Sequence, residues 1–150
     1  MTTHESYSHL LGLMARQADY MRLMVATQER QRTALVHFTA ADLQIATDEQ
    51  ARLSHQLRLL EKERLEFVAQ LLQCSHEQAL TMSSTDIAAQ CPEEFHQQFL
   101  VVRDDMKSLM KQLQFLNGMN RMLNERARRF TQAVIGVISP HGQSLYNRRV

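Results

Sequence analysis

The chain has 150 residues, enough for one domain with a modest core, and its 44% hydrophobic and 22% charged residues are those of a folded globular protein. A formal net charge of +1 gives no overall attraction to nucleic acid or to a membrane surface. Four glycines, two prolines and no tryptophan leave few chain breakers, which points to long helices joined by few loops. Cys74 and Cys91 are 17 residues apart, lack any CxxC spacing and read as free thiols in a reducing cytosol. The N-terminus MTTHESYSHL has no signal-peptide pattern, and no apolar run approaches the roughly 20 residues of a membrane span. The expected location is cytoplasmic.

Residues 5–37 contain no proline and only Gly12. Leu10, Met14, Met21, Met24, Leu35 and Phe38 recur at sums of three and four, which predicts a long amphipathic helix, with its stripe weakened by Gln17, Gln28 and Gln31. HFTAADLQ, residues 37–44, reads as a corner with Thr39 as N-cap and Asp42 suited to the positive end of a new helix. Without glycine or proline at this corner, the first two helices could also run together as one.

The second helix is expected over 40–74. Leu43, Ala46, Gln50, Leu53, Leu57, Leu60, Arg64, Phe67 and Leu71 alternate three and four, a heptad seam, and runs such as RLLEKERLE form its solvated outer face. Residues 75–91 break the pattern. Ser83, Ser84 and Thr85 punctuate it, Thr85-Asp86 could open one short helical turn, and so long a connection is expected to pack partly on the helices.

A third helix is expected over 92–138, with Pro92 at its first position and Glu93 and Glu94 complementing its N-terminus. Its seam runs Phe99, Val102, Met106, Leu109, Leu113, Leu116, Asn120, Leu123, Ala127, Phe130, Val134, Val137, and only Asn120 is polar. Pro140 and Gly142 stop it, and residues 139–150 are expected to be a flexible tail. Three such helices cannot bury their stripes alone. The expected fold is all-α: residues 1–138 form one antiparallel, coiled-coil-like bundle with an extended C-terminal helix. That helix, the longest, should protrude with an apolar stripe (Leu123, Ala127, Phe130, Val134, Val137) that nothing inside the monomer covers.

Little here resembles catalytic chemistry. Glu93-x-x-His96 has the spacing of a di-iron ligand pair, but no second such pair exists, and helix-start acids followed by a surface histidine is the simpler account. HExxH, GxSxG and glycine-rich phosphate loops are absent, and neither an enzymatic role nor a cofactor is expected. From Arg121 onward six arginines face one Glu125, a basic cluster that suits a solvated face or protein-binding rim better than nucleic acid. Nine methionines are many. Met14, Met21 and Met106 fit the core, whereas Met110, Met119 and Met122 flank the seam, where an adaptable side chain suits partners that vary.

In NGMNRMLNERARRF, residues 117–130, Asn120 alone could fix helix register by pairing with Gln17, Gln28 or Gln31. Asn117 and Asn124 lie a turn either side on nearly the same stripe, which is more amide than register needs and points to a partner site.

Four segments together resemble the FlgN-type flagellar export chaperones: ALVHFTAADLQIAT (34–47), ARLSHQLRLLEKER (51–64), Asn117-x-x-Asn120-x-x-Leu123 with Met122 before the leucine, and SPHGQ (139–143). Aligned on Pro140, Gly142 and Gln143, the family's terminal tyrosine falls at Ile138 and its acid at His141. The resemblance implies a small cytosolic helical protein. It would bind the C-terminal helical regions of the hook–filament junction proteins FlgK and FlgL, prevent their premature assembly and deliver them to the export gate component FlhA. Leu116, Met119, Leu123, Ala127 and Phe130 would be anchors, and Asn117, Asn120 and Asn124 would orient the partner. The alternative is a self-associating coiled-coil scaffold, a homo-oligomer joined through the third helix.

Overall fold

The computed structural model describes residues 1–138. Five helices follow one another: α1 Thr3–His37, α2 Ala40–Leu71, α3 His76–Thr81, α4 Ser84–Gln90 and α5 Glu93–Ile138. There is no strand among the described residues, so the fold is all-α as expected. No helix among them is long and apolar enough to cross a membrane. The expected tail, and the SPHGQ terminus with it, lie outside the described residues.

α1 is the axis of the molecule. It packs against α2 on one flank and α5 on the other, while the backbones of α2 and α5 nowhere come within 8 Å of each other. The pairings set the directions. Gln17 meets Glu61 and Gln31 meets Gln50, so α2 runs antiparallel to α1. Tyr7 meets Phe99, Arg22 pairs with Asp105 and Phe38 meets Phe130, so α5 runs parallel to α1 and antiparallel to α2.

The corner between α1 and α2 is sharp and contains no glycine. Phe38 takes the left-handed conformation (φ 55°) and the Thr39 N–H donates to the Ala34 carbonyl at 3.0 Å, closing α1. Thr39 holds the N-cap position of α2, but its side chain makes no capping hydrogen bond. The two helices are therefore separate. α2 stops at Leu71 rather than residue 74 because Gln73 (φ 51°) is also left-handed. Pro92 stands one residue before α5, where its carbonyl accepts from the Phe95 N–H at 2.9 Å.

Where one helical turn was expected, 75–91 holds two short helices. Each opens with a capping box, Ser75 with Gln78 and Ser83 with Asp86. Their inward residues Ala79, Ile87 and Ala88, with Cys91, seal the base of the bundle against Tyr7, Leu10, Met14, Leu65, Val68, Phe95 and Phe99. Cys74 and Cys91 are both free, and burial pushes the Cys91 thiol up, away from the reactive thiolate.

The three glutamines of α1 interrupt nothing: Gln17, Gln28 and Gln31 are as buried as their apolar neighbours. Gln17 donates to Glu61 at 2.7 Å, and Arg64 donates to the same carboxylate. Partial burial pushes the Glu61 carboxyl up, but the Arg64 hydrogen bond and charge and the Gln17 amide outweigh it and hold the group below its ordinary value of 4.5. Its contribution to stability is thus present above that value and lost as pH falls through the lowered one. Chemical denaturation between pH 6 and pH 3 should show a shallower loss of stability in Glu61→Gln than in the wild type; equal slopes would remove Glu61 from the acid response.

Candidate partner-binding surface

The distal half of α5 presents different chemistry on each of its faces. The inner face packs on α1. Leu116 (4% exposed) and Asn120 (9%) are buried there. Asn120 Nδ2 donates to the Gln28 carbonyl at 2.9 Å and reaches Gln31 Oε1 at 3.5 Å. Gln31 Nε2 in turn donates to Gln50 Oε1 and Thr47 Oγ1. One line of amides therefore ties α2, α1 and α5 together at a single level. Leu116 and Asn120, expected on the partner surface, are instead committed inside the monomer, because α1 covers the face they occupy.

The face towards α2 carries the other two asparagines. Asn117, Asn120 and Asn124 line one hollow of about 230 Å³ together with Gln31, Gln50 and Arg121. The structure thus brings the three asparagines to one place, with Asn120 as floor and Asn117 and Asn124 as exposed rim. Asn120→Ala should cost about 1–3 kcal/mol, since it leaves the buried Gln31 side chain short of a partner, whereas Asn117→Ala should leave the melting temperature unchanged. Thermal melts of the two variants check this, and equal losses would count against the amide line as the register device.

The remaining flank and the tip are apolar. Met119 is half-buried with the Arg32 guanidinium 3.9 Å from its Sδ, and beside it Phe115 and Met122 are exposed. Leu123 and Ala127 are half-buried. Phe130 is 60% exposed and its ring meets Phe38 at 5.7 Å between centroids. Beyond that contact α1 has ended, and residues 131–138 extend about 12 Å further with Val134, Ile135, Val137 and Ile138 exposed. The protrusion was expected; of the stripe expected to be uncovered, Phe130, Val134 and Val137 are exposed, whereas Leu123 and Ala127 are half-buried. Phe38, Ile135 and Ile138 were not: Phe38 read as the end of α1's buried stripe, and the isoleucines lie off the three-four seam. Phe38 is exposed because the corner turns it out of α1.

Charge borders this tip. Glu125 accepts from Arg128 at 3.0 Å and lies 3.4 Å from Arg129, and these two arginines, the first of them foremost, lower its pKa. Arg121 and Arg126 have no ion-pair partner among the described residues. The surface is therefore an apolar ridge with a basic border, which suits a helix that is apolar on one face and acidic at its edges.

Nothing in this region gathers nucleophile, base and oxyanion donors, and His96, of the Glu93-x-x-His96 pair, has its Nε2 on the Cys91 carbonyl at 2.9 Å. Among the described residues no three histidine, cysteine or acidic side chains converge as metal ligands.

Compared with known proteins, the sequence matches the FlgN protein family over residues 1–149. No curated protein and no solved structure matches the chain. With a family match that spans nearly its whole length on an all-α bundle with a protruding last helix, the chain belongs to the FlgN family of flagellar export chaperones.

Proposed function

We propose that this protein acts in the cytoplasm on the hook–filament junction proteins FlgK and FlgL. It holds their C-terminal helical regions before secretion, prevents their premature assembly and presents them to FlhA. Family membership supports the chaperone role. The observation that carries the choice of a helical client is the uncovered apolar ridge of α5, where Phe130 stands at the end of α1 and Val134 and Val137 continue the seam past it. A helix-in-groove contact needs such anchors at three-four spacing, and it needs no nucleotide or metal. Leu123 and Met119 extend the ridge, while Asn117 and Asn124 offer amides at its edge.

Isothermal titration with the C-terminal regions of FlgK and FlgL tests the proposal. One-to-one binding without ATP is expected, and absence of binding to both would sink it. Self-association is the second reading, favoured by the same exposure of Phe130 and Val137 (81% exposed). Light scattering that shows a dimer at micromolar concentration, dissociated by Val134→Asp, would favour it.

A further inference from the structure

Because no Cα of α2 lies within 8 Å of a Cα of α5, a trough runs between them with α1 as its floor, beyond the base where their side chains share one cluster. Two hollows mark its course. The one nearer the base measures about 420 Å³, with Gln17 and Met21 below, Leu57 and Arg58 on the α2 wall and Met110 and Leu113 on the α5 wall. The other is the asparagine-lined hollow already described. From Met106 to Asn124 the α5 wall is about 27 Å long, enough to lie alongside five turns of another helix.

Two features of the trough point to one occupant. The walls of the hollow nearer the base are apolar and adaptable: Leu57 lines one, and Met106, Met110 and Leu113 line the other, with Met110 half exposed. The rims of the trough are basic. Arg58 on α2 and Arg121 on α5 have no ion-pair partner among the described residues, whereas Arg64 is matched by Glu61.

We propose that the trough between α2 and α5 seats an amphipathic helix of the exported client as a fourth helix of the bundle. Acidic residues flank that helix and face Arg58 and Arg121. This rests on the chaperone reading but assigns the client a second surface, distinct from the protruding end of α5.

The test places a photo-crosslinking residue at position 110 in one variant and at position 134 in another, each mixed with the C-terminal regions of FlgK and FlgL. In parallel, the double variant Arg58→Glu, Arg121→Glu is titrated with the same regions. Crosslinks from position 110 and an affinity loss of about tenfold or more in the double variant, at unchanged melting temperature, are expected. Crosslinks from position 134 alone, with unchanged affinity in the double variant, overturn the trough and leave the chaperone reading standing. Crosslinks from position 110 to a second copy instead of the client also overturn it. If the wild type binds neither region and neither position crosslinks, both readings fall together.

Discussion

Phe99→Ala should lower the unfolding free energy by about 3–5 kcal/mol, the largest loss expected from any single truncation in this chain. Phe99 is 0% exposed and sits where every part of the base meets. The Tyr7 ring of α1 meets it edge-on at 6.4 Å, and the cluster around it draws Leu65 and Val68 from α2, Ile87 and Ala88 from α4 and Phe95 from α5. Removing the ring leaves a cavity in a region framed by four converging elements, which cannot collapse without moving one of them. The melting temperature should fall on the order of 10–15 °C for a chain of this size. Denaturant titration of the variant checks the free energy directly. A loss below about 1 kcal/mol would mean that the base relaxes around the gap.

The second large effect concerns binding and should leave the fold alone. Phe130→Ala combined with Val134→Asp should weaken binding of the FlgK and FlgL C-terminal regions by at least about a hundredfold, since a buried aromatic anchor alone carries roughly 2 kcal/mol or more at a protein interface. Both side chains face solvent at the protruding end, so thermal melts should match those of the wild type. Undiminished affinity would remove the ridge from the client site. A large fall in melting temperature would show instead that the Phe38–Phe130 contact belongs to the core.

The architecture was legible because heptad spacing is a direct imprint of helix packing. Every α2 seam position from Leu43 to Leu71 is buried or half-buried, and the α5 seam turns outward only from Phe130. What spacing could not convey was polarity inside the seam. Gln17, Gln28 and Gln31 looked like weak points of α1, yet all three are buried, and the Gln17 and Gln31 amides bond across to α2, where such a bond can replace apolar contact. The two short helices of 75–91 were written in Ser75-x-x-Gln78 and Ser83-x-x-Asp86, signals that the absence of an apolar run concealed. The binding face was legible in part. Three asparagines do converge, but which of them faces inward depends on where α1 lies, and a single helix's sequence does not carry that.

The amide line from Gln50 through Gln31 to Asn120 has a consequence for the far end of α5. An α-helix is continuous, so its angular phase at Asn120 dictates the direction of every later side chain at about 100° per residue. The compass bearing of Phe130, Val134 and Val137 is therefore set ten or more residues upstream, by a hydrogen bond to Gln28. Deleting one residue between Asn120 and Phe130 would keep the composition and length of the projecting end nearly unchanged while swinging its apolar side about a quarter-turn. In this molecule the aim of the exposed end is decided inside the bundle.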